Sequence, residues 1–229
     1  MKAVILAGGL GTRLKPFTEV IPKPLLPIGE KAVLEIQIER FHRFGVDEIY
    51  LATSYKSDYI EKFFGDGSRY GVKLSISREE IPLGTAGPLT LLRNQLTEPF
   101  IVMNGDILTK LNFLKMRRFH KAQKASMTIG TKKHETQLPF GTLEIKNHAL
   151  LAIKEKPKFS YDISNGIYIV SREALPLVPK NRRFTMPDLA TLLVQKKLKV
   201  ACYPVKEYWI AVEQLDQFTE ALTMKKKWM

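Results

Sequence analysis

The sequence predicts an α/β fold: a Rossmann-like, doubly wound sheet, mixed but mainly parallel, that is flanked by helices and carries a smaller β-rich lobe. Two observations support this prediction. Short apolar runs alternate with segments of helical periodicity through the first half of the 229-residue chain, which is typical of strands joined by crossover helices. The second half contains several strand-like segments separated by short turns, which is typical of an added β-rich region.

In the first half, four apolar runs predict strands and four segments predict helices. The first run ends at Gly8 and Gly9, a pattern typical of a central parallel strand before a turn. In the first helix, apolar residues recur at helical spacing until Gly45 provides a stop. The predicted strands are residues 3–7, 48–53, 72–77 and 100–103, and the predicted helices are residues 33–44, 57–65, 85–93 and a helix capped by Asn112.

In the second half, strands are predicted at residues 140–145, 150–153 and 166–170, and helices at residues 173–177, 187–195 and 215–225. No linker rich in serine or glycine separates the two halves. We therefore expect a single domain spanning residues 1–229, with one lobe at residues 1–125 and a second at residues 126–229.

The charge balance indicates an anionic partner. The chain has 36 lysine and arginine residues against 23 aspartate and glutamate residues, a formal net charge of +13, which suits a nucleic acid, a phosphate ligand or a membrane surface. The basic residues are dispersed, and the one tight run, Lys225-Lys226-Lys227, is explained as a solvated helix end. No nucleic-acid partner and no membrane partner are therefore expected, and no apolar run approaches the ~18 residues of a membrane span. The one cysteine, Cys202, suits the reducing cytoplasm.

A glycine-rich segment follows the first predicted strand. It reads Leu6-Ala7-Gly8-Gly9-Leu10-Gly11-Thr12-Arg13-Leu14 and places backbone N–H groups at the carboxyl edge of the sheet, where open α/β sheets bind ligands. Glycines let the backbone approach a phosphate, and Thr12 and Arg13 add a hydroxyl group and a charge. The spacing matches neither the P-loop pattern G-x-x-x-x-G-K-[ST] nor the dinucleotide pattern G-x-G-x-x-G. Taken alone, the segment is equally compatible with a plain tight turn.

A lysine between two prolines comes next. In Pro22-Lys23-Pro24, the prolines restrict the backbone and disfavour helix, so the ammonium group of Lys23 is held in one place. Together with the glycine-rich segment, this arrangement favours a phosphate site over a solvated loop lysine.

The order of these segments resembles that of the sugar-1-phosphate nucleotidylyltransferases, enzymes that join a nucleoside triphosphate to a sugar 1-phosphate and release pyrophosphate. Further similar blocks follow in the order of that family, namely Pro82-Leu83-Gly84-Thr85-Ala86-Gly87, Asn104-Gly105-Asp106, Glu155-Lys156-Pro157, Asn165-Gly166-Ile167-Tyr168 and Tyr208-Trp209-Ile210. The stretch of residues 79–89 is similar to mannose-1-phosphate guanylyltransferases. Met186-Pro187-Asp188-Leu189 resembles bacterial guanylyltransferases that act on hexosamine or heptose phosphates.

The resemblance implies roles for specific residues. Arg13, Lys23 and Asp106 are the candidate catalytic residues, and Asp106 is also the expected ligand of a Mg²⁺ cofactor, because Mg²⁺ prefers one or two carboxylates plus phosphate oxygens. The residues expected to bind the nucleotide are Leu6, Ala7, Gly8, Gly9, Gly11, Thr12, Arg13, Glu80, Pro82, Gly84, Thr85 and Gly87, with Glu80 as the candidate base contact. Those expected to bind the sugar phosphate are Asn104, Gly141, Glu155, Lys156, Asn165 and Trp209.

One block departs from the pattern of the family. Its members usually have Trp-x-Asp-x-Gly near the end, with the Asp as a second metal ligand, whereas this chain has Ala211 and Glu213 at those two positions. A methyl group cannot coordinate Mg²⁺. Three explanations are open: an engineered substitution at Ala211, which the intact state of the other blocks favours; a natural loss of activity; or a replacement by Glu213, which a continuous strand would place on the same face as Ala211.

The resemblance therefore predicts an enzyme that transfers a nucleoside monophosphate from an NTP, with GTP favoured, to a sugar 1-phosphate. The product would be an NDP-sugar for surface glycans, such as lipopolysaccharide or capsule. The chain is expected in the cytoplasm and, as an isolated catalytic domain of this family, is expected to form a homodimer. Ala211 keeps one alternative open, a protein that binds a nucleotide or an NDP-sugar without catalysis.

Overall fold

The computed structural model describes residues 1–228, and thirteen strands and six α-helices lie in this part of the chain. The strands are β1 (Lys2–Leu6), β2 (Pro27–Ile28), β3 (Lys31–Ala32), β4 (Glu48–Thr53), β5 (Lys73–Arg78), β6 (Phe100–Asn104), β7 (Ile107–Thr109), β8 (Met127–Gln137), β9 (Thr142–Lys146), β10 (Ala149–Lys154), β11 (Lys158–Val170), β12 (Val200–Pro204) and β13 (Trp209–Ala211). The helices are α1 (Phe17–Val20), α2 (Val33–Arg43), α3 (Ser57–Phe64), α4 (Phe113–Gln123), α5 (Met186–Gln195) and α6 (Leu215–Thr223).

Seven strands form the central sheet in the order β12-β8-β11-β6-β1-β4-β5. Strand β1 pairs in parallel with β4 and β6, and β4 pairs in parallel with β5. Strand β11 runs antiparallel to both β6 and β8, and β12 is parallel to β8. The prediction of a mixed, mainly parallel sheet is therefore confirmed.

Strand β1 lies inside the sheet and is buried on both of its faces. Ala3 and Ile5 belong to one core cluster, which includes Leu34 of α2, and Val4 belongs to a second cluster, which includes Leu189 of α5. Because helices cover both faces, every residue from Ala3 to Ile5 is apolar, and this explains why the strand is a continuous apolar run.

Local hydrogen bonds fix the starts of two helices near the predicted positions. The Asn112 side chain accepts a hydrogen bond from the Lys115 N–H (3.0 Å) at the start of α4. At α5 the Thr185 hydroxyl accepts from the Asp188 N–H (3.2 Å), and Asp188 Oδ2 accepts from the Thr185 N–H (2.8 Å). The reciprocal pair is a capping box, which satisfies two backbone donors that a helix start leaves free.

Two segments predicted as helices form 3-10 helices instead. Residues 85–93 contain the 3-10 helix Gly87–Leu92, and residues 173–177 lie in the 3-10 helix Arg172–Leu177. Pro88 and Pro176 lie within these two segments, and proline removes a backbone donor that a continuing α-helix would need.

Residues 132–163 form a projection that we call the arm, made of the outer halves of β8 and β11 together with the β9–β10 hairpin. Most side chains of the arm are exposed. They include large apolar ones: Phe140, Leu143, Ile145, Leu150 and Ile153. Strand β8 and the outer half of β11 are absent from the sequence-based prediction. Residues 132–137 and 158–163, the outer parts of these strands, are mostly exposed on both faces and show no alternation of buried and exposed positions.

Along residues 1–228, no helix has both the length and the apolar character needed to cross a membrane. The assignment of one domain with a nucleotide lobe and a sugar-phosphate lobe stays a prediction.

Candidate active site

A cleft of about 550 Å³ lies at the carboxyl ends of the parallel strands β1, β4, β5 and β6. The glycine-rich segment after β1, Ser54 after β4, Glu79 after β5 and Asp106 after β6 all line it. Parallel strands end at the same edge of a sheet, so segments that are far apart in sequence meet here.

Gly11 shapes the glycine-rich loop. Its φ of +65° is left-handed, and an added Cβ would lie 2.7 Å from Thr18 Cγ2, so a larger residue does not fit. The Thr18 hydroxyl and the Leu14 N–H both donate to the Gly11 carbonyl, at 2.8 and 2.9 Å. An added Cβ at Gly9 would meet nothing within 4 Å. The loop is therefore fixed at Gly11 and leaves its backbone open to a ligand at Gly9.

Lys23 and Asp106 form a mostly buried ion pair in the cleft. Lys23 Nζ lies 2.5 Å from Asp106 Oδ2, and the two side chains are only 13% and 16% exposed. Lys23 begins a short 3-10 helix after Pro22. Gly105 brings Asp106 close to the first strand, because a Cβ on Gly105 would lie 2.8 Å from the Leu6 carbonyl oxygen.

Asp106 keeps one oxygen available for a cation. Its Oδ1 atom is buried and has no hydrogen-bond partner. Such an oxygen suits Mg²⁺, which takes its remaining ligands from phosphates and water. Ala211 pairs with Ile107, the residue after Asp106, and provides only a methyl group there. The cleft thus fits Mg²⁺ with one carboxylate, and in residues 1–228 no group of three or more His, Cys, Asp and Glu side chains is arranged to hold a metal.

Arg13 and Glu213 form a second ion pair at the cleft. Arg13 Nη1 lies 2.6 Å from Glu213 Oε2, and the two side chains are 61% and 35% exposed. The expectation that Glu213 shares a strand face with Ala211 is wrong. Strand β13 ends at Ala211, and the Glu213 N–H donates to the Ala211 carbonyl (3.0 Å), so the chain turns between these two residues.

Glu79 places a partly buried carboxylate in the same cleft. Its Oε2 atom accepts a hydrogen bond from the Leu83 N–H (2.8 Å), and its Oε1 atom would lie 3.1 Å from a Cβ on Gly8. Burial raises the pKa of this carboxyl above its usual range, although the Leu83 hydrogen bond opposes the shift. A carboxylate with these surroundings is an acceptor aimed at the region beside the glycine-rich loop.

The turn at residues 82–87 is held by Phe184, just before α5. The Phe184 carbonyl accepts from the N–H groups of Ala86 (2.9 Å) and Gly87 (3.0 Å). Gly84 has a φ of +81°, and a Cβ there would lie 2.8 Å from the Phe184 oxygen. The hydroxyl of Thr85 accepts from the Met186 N–H (2.8 Å). Helix α5 therefore fixes one wall of the cleft.

The cleft brings together most of the residues predicted to bind a nucleotide: Leu6, Ala7, Gly8, Gly9, Gly11, Thr12, Arg13, Pro82, Gly84 and Thr85. Two predicted residues are absent from the lining, since Gly87 is buried and Glu80 is exposed away from it. Sequence reasoning missed Ser54 and Glu79. The signal that could have identified both is that each directly follows a strand of the parallel sheet.

Of the residues predicted to bind the sugar phosphate, one lines the cleft and the others lie outside its lining. Asn104 lines the cleft. Asn165 is buried, its carbonyl accepts from the Trp209 indole N–H (2.8 Å), and its Nδ2 atom has no partner. Gly130 of β8 makes room for this side chain, because a Cβ there would lie 2.4 Å from Asn165 Oδ1. Asn165 and Trp209 are thus held together, outside the lining of the cleft.

The other three predicted sugar-phosphate residues lie on the arm. Gly141 and Glu155 are neighbours, since a Cβ on Gly141 would lie 3.0 Å from Glu155 Oε2. Lys156 follows with a φ of +45°. All three are exposed and outside the lining of the cleft, so the structure does not bring them together with Lys23 and Asp106.

Comparison with known proteins identifies the family of the chain. Residues 2–227 match the nucleotidyl transferase family. The chain is a member of that family. This nucleotidyl transferase is 35% identical over 232 residues to mannose-1-phosphate guanylyltransferase catalytic subunit beta of Xenopus tropicalis, a match that covers 98% of the chain and 64% of that protein. It is 33% identical to mannose-1-phosphate guanyltransferase of Saccharomyces cerevisiae, with 95% and 63% covered. The nucleotidyl transferase therefore spans less than two thirds of the length of these relatives.

Two solved structures share the fold. HddC from Yersinia pseudotuberculosis, complexed with GMP-PN, superimposes with a TM-score of 0.77 at 27% identity and covers 97% of this chain and 98% of that one. A UDP-glucose pyrophosphorylase complexed with UDP-glucose has a TM-score of 0.75 at 18% identity, with 99% and 98% covered, and is similar in fold alone.

Proposed function

We propose that this nucleotidyl transferase joins the nucleoside monophosphate of an NTP, GTP by preference, to a sugar 1-phosphate and releases pyrophosphate. The observation that carries the proposal is the Lys23–Asp106 pair beside the glycine-rich loop, at the carboxyl edge of the sheet. The similarity to mannose-1-phosphate guanylyltransferases over 98% of the chain supports it.

The chemistry requires positive charge between two anionic substrates. An oxygen of the sugar phosphate attacks the α-phosphorus of the NTP, and a P–O bond forms there. The bond from the α-phosphorus to the oxygen shared with the β-phosphorus breaks, and pyrophosphate leaves with the electron pair. Lys23 would offset the negative charge that grows on the α-phosphoryl oxygens, and Arg13 and the loop N–H groups would hold the rest of the triphosphate.

The role proposed for Asp106 is to hold Mg²⁺ through its free Oδ1 atom. When bound, Mg²⁺ neutralises charge on the phosphates of the substrate and the leaving pyrophosphate. Lys23 would keep the carboxylate in place through Oδ2, since Lys23 Nζ donates to that oxygen.

Glu79 supports the preference for GTP. An ionised carboxylate is an acceptor only, and guanine presents two adjacent donors, N1–H and N2–H₂, on one edge. Uracil, thymine and adenine each present one donor on that edge. A carboxylate beside the glycine-rich loop, with one oxygen towards Gly8, therefore complements guanine better than these three bases.

We propose mannose 1-phosphate as the first sugar to test, because the relatives with 33–38% identity are named for it. The arm would bring Gly141, Glu155 and Lys156 to the sugar, and Asn165 and Trp209 would complete that side. Hexosamine and heptose phosphates are the next candidates.

We also propose a setting for the reaction, namely the cytoplasm, where NTPs are abundant and a free, exposed cysteine stays reduced. Its product would supply the synthesis of surface glycans such as lipopolysaccharide or capsule. A homodimer is proposed as the working form, because the arm exposes apolar side chains that a second copy could cover.

The test is a pyrophosphate-release assay with GTP, UTP, dTTP and CTP, each combined with mannose, glucosamine and heptose 1-phosphates. Release that needs both substrates and Mg²⁺, greatest with GTP, is expected. Lys23→Met should lose at least about 100-fold in kcat, whereas Lys62→Met, on the exposed face of α3, should match the unmodified protein. Binding of GTP without turnover with any sugar phosphate would contradict the proposal and favour a non-catalytic nucleotide-binding protein.

A further inference from the structure

The strand next to Asp106 provides no second carboxylate for a cation. Ala211, the last residue of β13, pairs with Ile107, and the Val212 N–H donates to the Asp106 carbonyl (2.8 Å). The end of β13 therefore lies beside Asp106, and the residue before Val212, Ala211, contributes only a methyl group. Any further protein oxygen must come from another residue.

Glu213 is the next carboxylate along the chain, and it lines the cleft that contains Asp106. Its backbone is fixed from the start of α6, because Gln217 Oε1 accepts from the N–H groups of both Glu213 (2.8 Å) and Gln214 (3.0 Å). The turn after Ala211 and this contact with α6 hold the residue in place, so its side chain alone has to move to find a new partner.

The present partner of Glu213 is replaceable. The contact with Arg13 is short, 2.6 Å, but the arginine side chain is 61% exposed, and ion pairs so open to solvent are weak. A triphosphate offers several charged oxygens to the same guanidinium group and can bind it through two hydrogen bonds at once. A nucleotide entering the cleft therefore competes directly with Glu213 for Arg13.

We propose that Glu213 is the second carboxylate for the divalent cation in this chain and that Arg13 holds it until the triphosphate binds. The triphosphate takes Arg13, and the released Glu213 carboxylate becomes available to the cation that Asp106 Oδ1 holds. One exchange of partners thus couples nucleotide binding to completion of the cation site. The inference rests on the proposed function, because it requires a nucleoside triphosphate in this cleft.

Other roles for Glu213 predict other changes in nucleotide affinity, cation affinity and stability when the residue is neutralised. If Glu213 only blocked Arg13, its neutralisation would tighten nucleotide binding and leave cation binding unchanged. If it only stabilised the fold, neutralisation would change unfolding and no ligand affinity. A role towards the cation predicts a loss of cation affinity that appears only when the nucleotide is present.

The experiment measures Mn²⁺ binding by the loss of the free Mn²⁺ signal in electron paramagnetic resonance. It uses the full chain in excess over guanosine 5′-(α,β-methylene)triphosphate, which cannot transfer its nucleotidyl group, so that nucleotide free in solution does not take up the Mn²⁺. Glu213→Gln should weaken Mn²⁺ binding at least about tenfold. Glu30→Gln, an exposed control in the turn between β2 and β3, should leave Mn²⁺ binding unchanged. Nucleotide affinity measured by calorimetry in EDTA should be equal or higher for Glu213→Gln, because Arg13 is released.

A rescue variant tests the same role independently. Adding Ala211→Asp to Glu213→Gln puts a carboxylate back beside Asp106 and should restore Mn²⁺ binding to within about threefold of the unmodified chain. Unchanged Mn²⁺ affinity in Glu213→Gln would overturn the inference and leave the proposed function intact. Failure of the unmodified chain to bind the nucleotide at all would overturn both. Circular dichroism and melting curves of each variant show whether it is folded.

Discussion

Lys23 and Asp106 are 83 residues apart in sequence, yet Lys23 Nζ lies 2.5 Å from Asp106 Oδ2. The pair joins the segment after the glycine-rich loop to the end of β6. The second carboxylate oxygen of Asp106, Oδ1, has no hydrogen-bond partner. Lys23 is therefore expected to affect both the stability of the protein and the binding of a ligand by Asp106.

Removal of Lys23 alone should destabilise the protein. Both side chains are mostly buried, so Lys23→Met leaves the Asp106 charge without its partner, and breaking a buried pair in this way lowers the free energy of unfolding by about 3–5 kcal/mol. Adding Asp106→Asn removes the stranded charge and should restore a large part of that loss. Urea unfolding of the unmodified protein, Lys23→Met, Asp106→Asn and the double variant measures both effects. Strictly additive losses in the double variant would contradict the prediction.

Arg13 should behave in the opposite way. Because its side chain is 61% exposed, Arg13→Ala is expected to change the free energy of unfolding by no more than about 0.5 kcal/mol. The loss of charge-assisted hydrogen bonds to the triphosphate should weaken GTP binding by about 10- to 100-fold. Calorimetry and urea unfolding on the same preparation give the two numbers. A large loss of stability with unchanged GTP affinity would show that Arg13 is structural.

Glu79 should show a conflict between stability and binding. Burial raises the pKa of its carboxyl, so the folded chain binds this proton more tightly than the unfolded chain does. The stability that Glu79 contributes is therefore fully present below the unfolded pKa and is lost as the pH rises through the folded pKa. Glu79→Gln, which is always neutral, should stabilise the ligand-free protein near neutral pH and weaken its binding of GTP.

Melting temperatures between about pH 4 and 8, with and without GTP, measure both effects of Glu79→Gln. Loss of GTP affinity in the unmodified chain as the pH falls through the raised pKa is a further expectation, because the protonated carboxyl loses acceptor capacity. The exposed neighbour provides the control, and Glu80→Gln should change neither quantity. Equal effects of the two substitutions would contradict the proposal that Glu79 contacts the guanine base.

The arm should affect one substrate only. Glu155 is exposed and outside the cleft, so Glu155→Gln is expected to leave stability within about 0.5 kcal/mol of the unmodified protein. If the arm brings Glu155 to the sugar, KM for the sugar 1-phosphate should rise about tenfold or more while KM for GTP stays constant. Glu144→Gln on β9 of the same arm is the matched control. Unchanged kinetics in both variants would exclude a role for Glu155 in substrate binding.

The sequence predicts many of the residues that line the cleft, because several of them follow buried strands. An apolar run followed by glycine or aspartate marks the end of such a strand, as at Gly8 and Asp106. The resemblance named Glu80, whereas the structure places Glu79 in the lining of the cleft and leaves Glu80 exposed outside it. Glu79 directly follows β5, which ends at Arg78, so it lies at the carboxyl edge of the sheet where the cleft is.

The remaining misses depend on tertiary structure. The β9–β10 hairpin of the arm is predicted, but the outer halves of β8 and β11 are exposed on both faces, so burial leaves no periodic pattern in them. The position of Glu213 depends on Gln217, whose side chain accepts from the N–H groups of Glu213 and Gln214. A strand periodicity continued through Ala211 cannot anticipate that contact, because the turn is fixed by α6 and not by the local sequence.

The Arg13–Glu213 contact also fixes the time at which the cleft can be complete during synthesis. The two residues are 200 positions apart, and a ribosome adding about 5–20 residues per second needs roughly 10–40 s to travel between them. Strands β1, β4, β5 and β6 have all been made by Asn104, so the glycine-rich loop and its parallel strands can assemble well before Glu213 exists. A nascent chain in that interval has an unpaired Arg13, and it would meet cellular nucleotides before its last carboxylate is in place.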